Sequence, residues 1–525
     1  GQTWVNAMAG VPRIRTHTKD TPNVLVIIQA LHTCVDWCRE HELDVPWMLQ
    51  QVTAPATSQK ETEAEVSLFG QVRNLLAGTL FTNAELLMAG VPPLGGGADW
   101  LDLLSNLADS HGLVNTQPDS DDDDDDYASI ARKKLLIAVH EGLGESYRPL
   151  YEAIVENMLE VLLQAKAAQL SVAKQCLTVY TRLTSEQVIP VLTWAQGRVD
   201  TFLREVLTRP VSDPATATER GGRSLEGDPF LLLLAEIRRR SEIVLKLKLS
   251  VEVLQDYLDY GNRKWITQAD QLAVSLSTFY YLSVLARAFK MSKQPQARLL
   301  DYLRDVAALP ADLTVPSENL SLDALYLIKQ TAAARLGVFF AWSAQEVLEC
   351  AQSIGQPLVR NLQQLDVLMR VRTMSTRSGM DARTVFLMGK LPGQVTTTSE
   401  KAAYRRAAEQ ALSSLAETTE PLLAMASDEQ NQTAKITCEL VGSNTVIAGK
   451  PEQKVTYKLT VRDMQDRPMR GVYVHWQTSL GTIVERATTE VGEVTVDFIP
   501  GRVLGLDTPL FWLDMGEKQS ATDVQ

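Results

Sequence analysis

The spacing of apolar residues changes near residue 428, and this change restricts the fold more than any other feature of the chain. Before it, apolar residues recur every three or four positions, as at Val24, Ile27 and Leu31, which is the spacing of a buried helix face. After it, apolar and polar residues alternate, as over residues 455–461, which is typical of a half-buried strand. The sequence therefore predicts a mainly α chain that ends in a small antiparallel β-sandwich.

The helical region is divided into short helices by a recurring signal, an apolar residue followed by Ser or Asp. At Trp342-Ser343, Glu346 follows three residues after the serine, which predicts a capping box that starts a new helix. Similar signals occur at Asp44, Ser171, Ser250, Ser292 and Asp381. Thr184 and Gln187 form a second predicted capping box. From Ser250 onward these signals lie roughly 40 to 50 residues apart, which favours an irregular stack of helical pairs.

Polar, acidic and Pro/Gly-rich stretches define the predicted domain boundaries. Six adjacent carboxylates at 121–126 repel one another and predict a solvated loop rather than a buried segment. About six strands are visible before Gln525, so we expect the sandwich to be incomplete. The predicted order is an irregular lead-in at 1–22, a helical subdomain at 23–116, an acidic disordered loop at 117–126, a helical domain at 127–428 with a flexible loop at 211–229, and an antiparallel β-sandwich at 435–525.

Composition argues against several classes of function. Seven acidic charges at Asp119 and 121–126 account for part of the net charge of −13, and removing them leaves −6. No basic stripe with interleaved aromatic residues is present, so we expect no nucleic-acid partner. The apolar run at 230–235 is far shorter than the roughly 20 residues that cross a bilayer, which predicts no membrane span.

The cysteine count and the start of the chain bear on where the protein folds. Five cysteines without paired spacing predict folding in a reducing compartment rather than a disulfide framework. The chain starts at Gly1-Gln2 without a recognisable leader, so we expect it to be a piece of a longer protein.

The sequence offers little for catalysis or for metal binding. Cys34, Cys38 and His41 share one helix face and are zinc-ligand types. His32 points to the other side of that helix, and cysteine also packs as a small apolar residue, so we predict no metal and no cofactor. Because no nucleophile elbow and no phosphate-binding loop is present, we also predict that the chain is not an enzyme.

The helical region resembles a known family in three segments, residues 276–292, 336–348 and 365–388. Their succession of capped helices, with Leu336-Gly-Val-Phe-Phe-Ala-Trp342-Ser343 in the second, resembles the α-helical shell of the A subunit (TcA) of the tripartite Tc toxin complexes, insecticidal toxins of some bacteria. The resemblance covers about residues 23–428. The family's long channel-forming helices and translocation linker have no counterpart here, so pore formation is not assigned to these residues.

The C-terminal region is similar to bacterial immunoglobulin-like domains of the invasin type. The segments that carry this similarity are Pro468-Met-Arg-Gly-Val-Tyr-Val-His-Trp476 and residues 481–498. Receptor-binding modules of this kind on a helical shell are also what the toxin family implies. Candidate receptor-binding residues are Tyr473 and His475, which alternate outward on one predicted strand, together with Asn444 and Arg470.

The two resemblances together imply a non-enzymatic segment of a toxin A subunit. Its helices would form part of a shell around a translocation channel, and its sandwich would bind a host receptor or glycan. The implied partners are copies of the chain itself in a pentamer, other toxin subunits and the host surface. The implied location is extracellular, after folding in the bacterial cytoplasm. The alternative is a bacterial adhesin or surface scaffold with the same binding domain and no toxin role.

Overall fold

The computed structural model describes residues 38–39, 44, 46–47, 70, 72–119, 126–209, 228–266, 272–313, 315–316, 320–390, 394–416 and 433–525. Within them the chain is mainly helical and ends in an antiparallel β-sandwich of two sheets, which confirms the predicted fold class. The described residues fall into two compact units. The first lies within Gly1–Asp259 and Ala269–Phe279, and the second within Tyr260–Gln268 and Tyr280–Gln525.

The helices are short to medium in length and follow one another closely along the chain. Up to the π-helical turn at Tyr257–Gly261, they are α1 (Asn83–Met88), α2 (Trp100–Leu103), α3 (Tyr127–Gly142), α4 (Tyr151–Thr181), α5 (Val188–Trp194), α6 (Val199–Thr208), α7 (Pro229–Leu247) and α8 (Val251–Asp256), with 3-10 turns at Gly95–Gly97 and Glu145–Leu150. After it they are α9 (Asn262–Lys264), α10 (Leu276–Met291), α11 (Gln296–Ala308), α12 (Leu322–Phe340), α13 (Ala344–Ser353), α14 (Leu362–Ser378), α15 (Ala382–Met388) and α16 (Thr398–Ala416).

A buried glutamine of α4 fastens two segments to that helix in the first unit, one just before α1 and one between α2 and α3. The Gln169 side chain is 2% exposed, and its oxygen accepts the Val114 N–H at 2.8 Å. Its amide nitrogen donates to the carbonyls of Thr79 at 3.0 Å and Gly112 at 2.9 Å. One side chain therefore pairs three backbone groups, which would otherwise be costly to bury.

A buried carboxylate joins α10 to α14 in the second unit. Asp366 is fully buried and accepts hydrogen bonds from the Tyr280 hydroxyl at 2.7 Å and from Arg287 at 2.8 Å. Arg370, one turn further along α14, lies 3.2 Å from the same oxygen that accepts the Tyr280 hydroxyl. Removing either arginine would leave a buried charge less well paired, which makes this network costly to break.

The junction between α12 and α13 shows in detail how two helices meet end to end. Ala341 is left-handed at φ +50°, and the N–H groups of Ala341 and Trp342 donate to the carbonyls of Val338 and Gly337, which is a Schellman motif. The Ser343 side chain then accepts the Glu346 N–H at 3.2 Å, which confirms the predicted N-cap.

The other half of that predicted capping box is wrong. The Glu346 carboxylate does not return to the start of its own helix, because it accepts the Ala382 N–H at 2.6 Å and so caps α15. Burial, as the main cause, raises the pKa of this carboxyl above its ordinary value. A side chain predicted to act locally therefore connects two helices.

The remaining cap predictions divide into confirmed and wrong ones. Ser250 and Asp381 cap α8 and α15, and Asp44 accepts the Trp47 N–H at 3.1 Å. Ser171 is wrong as a helix start, because it is an exposed residue inside α4, and the buried Gln169 and Val172 beside it hold this part of the helix against segments distant along the chain. Ser292 is also wrong, because α11 starts at Gln296 and the Ser292 hydroxyl donates to the Phe339 carbonyl instead.

The second predicted capping box, at Thr184 and Gln187, is half confirmed. The Gln187 side chain accepts the Thr184 N–H at 3.2 Å, as a capping box requires. The helix that follows begins only at Val188, with Gln187 at its N-cap position and no side-chain cap hydrogen bond. The Gln187 amide also donates to the Leu249 carbonyl at 2.8 Å, so this side chain serves a distant part of the chain as well.

The sandwich consists of two four-stranded antiparallel sheets. Sheet 1 has the order β1-β2-β6-β4 and sheet 2 the order β5-β3-β7-β8. The strands are β1 (Ala434–Val441), β2 (Val455–Asp463), β3 (Tyr473–Gln477), β4 (Gly481–Ile483), β5 (Arg486–Ala487), β6 (Glu493–Pro500), β7 (Leu510–Leu513) and β8 (Gln519–Ser520). Strands β4, β5 and β8 are too short to give an alternating pattern, which explains why the sequence indicated fewer strands than the eight observed.

Aromatic rings from both sheets fill the space between them. The Trp476 ring lies 5.4 Å from that of Tyr457 in sheet 1 and 5.5 Å from that of Phe511 in its own sheet. Trp476 is 8% exposed and the other two are almost fully buried. Because these rings touch across the sheets, they hold the two layers together.

One end of the sandwich is attached to the start of α12. The Ser321 hydroxyl accepts the Ala324 N–H as the helix cap and lies 2.8 Å from the Arg470 carbonyl. The Asp323 carboxylate accepts the Arg470 N–H at 2.9 Å. Gly471 (φ +69°) leaves the space for this contact, because a β-carbon there would lie 2.7 Å from the Ser321 β-carbon.

Two substitutions at the α12–α13 junction should have opposite effects. Ala341→Gly should stabilise the protein by about 0.5–1 kcal/mol, because glycine adopts a left-handed conformation without a β-carbon clash. Gly337→Ala should destabilise it by roughly 1–3 kcal/mol, because the new β-carbon would lie 2.7 Å from the Trp342 carbonyl oxygen. Urea unfolding, followed by the helical circular dichroism signal, measures the free energy of unfolding of both variants. Changes of the same sign would contradict the assigned geometry of the junction.

Replacing Trp476 with alanine should loosen the sandwich at a cost of roughly 3–5 kcal/mol, because a buried ring between the sheets is lost. We expect the helical signal to remain nearly intact while the β-sheet transition moves to lower temperature. Trp512→Ala, which removes a partly exposed ring of the same sheet, is the matched control and should cost less. Simultaneous loss of helical and sheet structure would show instead that the two regions unfold as one.

Candidate binding face of the β-sandwich

The outer face of sheet 2 brings together the most distinctive polar and aromatic side chains of the sandwich. Along β3, Val474 and Trp476 point into the core, whereas Tyr473, His475 and Gln477 alternate with them and reach the surface. Antiparallel pairing with β7 places Trp512 opposite His475. The alternation of β3 thus decides which side chains face outward, and the pairing with β7 decides their neighbours.

His475 lies between two carboxylates. Its Nδ1 is 3.1 Å from Glu485 Oε2, and its Nε2 is 2.7 Å from Asp514 Oδ1. The second Glu485 oxygen accepts the Trp476 N–H at 3.0 Å, which fixes that carboxylate against the strand. With both ring nitrogens engaged and its side chain 28% exposed, the imidazole has a defined orientation.

The two carboxylates hold a proton on His475. The hydrogen bond with Asp514 is the main cause, and with Glu485 it raises the pKa of His475 from 6.5 to about 9 despite partial burial. The ring is therefore an imidazolium at neutral pH and donates from both nitrogens. In this state it is a fixed cation rather than a general base, because a base needs a free nitrogen lone pair.

Trp512 extends the face beside His475. The two rings are 5.7 Å apart, and the Lys518 ammonium lies 4.5 Å from the centre of the indole. The same ammonium donates to Gln477 Oε1 at 2.8 Å. A partly exposed indole among groups held by hydrogen bonds is suited to non-covalent recognition, because little side-chain freedom is lost on binding.

The four residues proposed from the sequence do not form one group. Tyr473 and His475 share the outer face of sheet 2. Asn444 lies in the β1–β2 connection. Its side-chain amide donates to the Asp523 backbone carbonyl, and its backbone carbonyl accepts the Gln525 N–H. The Arg470 guanidinium is 2.6 Å from Glu490, and its backbone takes part in the attachment to α12. The role of all four in binding stays a prediction.

Sequence reasoning missed Glu485, Trp512, Asp514 and Lys518. Residues 510–513 are apolar at every position, so their sequence did not indicate that Trp512 faces outward; the alternation in burial is seen only in the structure. No signal in the sequence placed the two acidic residues beside His475, since they are brought there by the folding of separate segments.

The possible metal ligands lie mostly outside the described residues. Cys34 and His41 are not described, and Cys38 is buried. In the part of the chain that the structure describes, no group of three His, Cys, Asp or Glu side chains could hold a metal ion. Residues 121–125 of the acidic run are also undescribed. Asp126, the last of the run, caps α3 by accepting the Ser129 N–H at 2.7 Å, and this bond lowers its pKa.

Comparison with known proteins identifies no family for this chain. No protein-family model matches it, and no curated protein does. Among the described helices, none combines the length and apolar character that crossing a bilayer requires.

The stability of the sandwich should decrease as the pH rises from about 6.5 to about 9. The folded-state pKa of His475 is raised, so its stabilising proton is fully bound below the unfolded value and is lost as the pH passes about 9. His475→Gln should therefore cost about 1–3 kcal/mol at pH 6 and much less at pH 10. Thermal unfolding across this range measures the difference, with the exposed His140→Gln as control. If the stability lost in His475→Gln is the same at pH 6 and pH 10, the raised pKa assigned to His475 is wrong.

Proposed function

We propose that this chain is a non-enzymatic segment of a toxin-complex A subunit whose β-sandwich binds a receptor or glycan on a host surface. The observation that carries the proposal is the outer face of sheet 2, where His475 and Trp512 are held in place by Glu485, Asp514 and Lys518. An aromatic face beside fixed hydrogen-bonding groups is typical of recognition sites.

The attachment of the sandwich supports a role in presenting this face. The contacts of Ser321 and Asp323 involve Arg470 and Gly471, which precede β3, and Arg335 of α12 donates to the Met515 carbonyl at 3.0 Å. The sandwich is thus tied to a helix by its backbone at several points. Because of these contacts, the binding module has a fixed orientation relative to α12.

The helical part, in this proposal, contributes to a shell around a translocation channel built by other segments. Its partners would be copies of the same chain, in a pentamer if the family resemblance holds, and other toxin subunits. The protein would act outside the bacterial cell after folding in its cytoplasm. The succession of capped helices supports a scaffold role, because such junctions leave few backbone groups free to move.

Binding of the full chain to cultured insect cells and to a glycan array tests the proposal. We expect saturable binding that Trp512→Ala weakens about tenfold, as is common for an aromatic residue at the centre of a recognition site. His475→Gln should weaken it as well, because the fixed cation and the positions of both carboxylates change. Binding affinity, measured by labelled protein on cells, is the readout.

Thr437→Ala provides the matched control, because this exposed residue belongs to the outer face of sheet 1. It should bind as the unchanged chain does. Equal affinities for all three variants would refute the assignment of the face. An adhesin would also bind cells, so cell binding alone does not distinguish the two hypotheses. Light scattering does, because a toxin subunit is expected to form closed oligomers.

A further inference from the structure

Of the four strands at the sheet edges of the sandwich, only β1 is long. The sheet orders place β1 and β4 at the edges of sheet 1, and β5 and β8 at the edges of sheet 2. Strand β4 has three residues and β5 and β8 have two each, whereas β1 has eight. Very short edge strands are one means by which proteins prevent strand pairing between molecules, and β1 lacks this protection. It also contains no proline and no bulge, since its register with β2 is continuous.

Every second residue of β1 directs its backbone groups to the open edge of sheet 1. The Val461 N–H of β2 donates to the Gly492 carbonyl just before β6, so Val461 and its alternate neighbours direct their backbone groups towards β6. The residues between them therefore face β1, where Thr460 lies opposite Thr437. Thr437 thus bonds towards β2, and the residues on either side of it face the open edge. These are Ile436, Cys438 and Leu440, whose N–H and C=O groups have no backbone partner in the described part of the chain.

The inner face of β1 is only half covered. Ile436, Cys438 and Leu440 lie opposite inner-facing residues of β2 and so point into the sandwich, but they stay partly exposed. The four inner-facing residues of β2 are fully buried. The difference arises because β1 has a neighbouring strand on one side only. A further strand beside β1 covers these apolar side chains, and their burial favours the pairing.

The charges on the outer face of β1 are complementary to those of a second copy. Lys435 and Glu439 are exposed, lie two positions on either side of Thr437, and have no ion-pair partner among the described residues. In its own sheet Lys435 lies opposite Arg462, a charge of the same sign. When two β1 strands run antiparallel with Thr437 opposite its own copy, each Lys435 lies opposite Glu439 of the other strand. Opposite charges in directly facing pairs stabilise a sheet.

We propose that the chain forms a twofold symmetric dimer in which the β1 strands of two copies pair antiparallel about Thr437, so that both copies of sheet 1 form one continuous sheet. Ile436 exchanges backbone hydrogen bonds with Cys438 of the second copy, and Cys438 with its Ile436. Thr437 and both Lys435–Glu439 pairs occupy the positions without backbone bonds, where facing side chains are closest. One surface thus serves both copies, as a twofold contact requires. The charge order selects a second copy over an unrelated strand, because it is complementary to itself.

The attachment of the sandwich to α12 is compatible with this contact. The hydroxyls of Thr433, just before β1, and Thr331 of α12 are 2.8 Å apart, so the helix is joined to the start of the strand. In an antiparallel pair the starts of the two strands lie at opposite ends, which separates the two copies of α12. The paired edge belongs to sheet 1, whereas the candidate binding face lies on sheet 2. The dimer therefore does not depend on the proposed function.

Sedimentation equilibrium of the full chain tests the charge pairing. Lys435→Glu should weaken dimerisation about tenfold, because it places two carboxylates opposite each other on both sides of the axis. It should not lower the thermal stability, since a glutamate at this position lies opposite Arg462. Adding Glu439→Lys should restore dimerisation, because the charges are then exchanged on both strands. A monomeric unchanged chain, or weakening that the second substitution does not reverse, would overturn the proposal.

Thr437→Ala is the matched control for the charge variants. It keeps the backbone groups of β1 and both charge pairs, so it should dimerise as the unchanged chain does. Equal weakening in Thr437→Ala and Lys435→Glu would show that the charges do not direct the pairing and would refute it.

Disulfide formation tests the register. In Thr437→Cys the two new thiols face each other across the axis in a pair without backbone bonds, which is close enough for a disulfide. Oxidation should therefore give a covalent dimer on a non-reducing denaturing gel, above the background of the unchanged chain. Val441→Cys, on the same face of the same strand, is the matched control, because its two copies lie roughly 26 Å apart along the paired strands. No covalent dimer with Thr437→Cys, or as much with Val441→Cys, would overturn the proposal.

The same gel separates this dimer from the proposed function. Pentamers that give no covalent dimer through Thr437→Cys would leave the toxin proposal standing and refute the pairing of β1. Covalent dimers of a chain that binds no cell surface would support the pairing and count against the proposed function.

Discussion

Unpaired backbone groups at helix ends are the constraint on which most of this structure depends. Each helix leaves several N–H and C=O groups without intrahelical partners, and a chain of short helices creates many such ends. At the α12–α13 junction the ends satisfy one another, since Trp342 donates back to Gly337 and Ser343 caps the next helix. Glu346 then satisfies the start of α15. Packing between helices is thus fixed by backbone hydrogen bonds as well as by apolar contact.

The same device joins the helical region to the sandwich. Ser321 caps α12 while its hydroxyl lies within hydrogen-bonding distance of the carbonyls of Arg470 and Gly471. Asp323, in the first turn, accepts the Arg470 N–H. Because these residues at the start of α12 also bond the backbone before β3, the sandwich is attached to the helix in one orientation. The sandwich is therefore oriented by groups that the helix needs for its own stability.

The sandwich places its distinctive groups on surfaces that the core does not use. On sheet 2 the carboxylates that flank His475 raise its pKa and keep it charged, so that the group acts by charge and position rather than by proton transfer. At one end of the sandwich, the buried Asp507 carboxylate accepts the backbone N–H groups of Ser479 and Leu480. Both arrangements depend on acidic residues whose partners lie far away in sequence.

The sequence by itself determined the fold class, the alternating faces of the long strands and the helix starts at Ser250, Ser343 and Asp381, because these follow from local periodicity and capping chemistry. Only the tertiary structure decided where Glu346 directs its carboxylate, why α4 runs through Ser171 and which acids flank His475. Each of these depends on segments that are distant along the chain, and burial there outweighs the local preference. The period of apolar residues is a property of one segment, whereas a binding face is a property of several segments brought together.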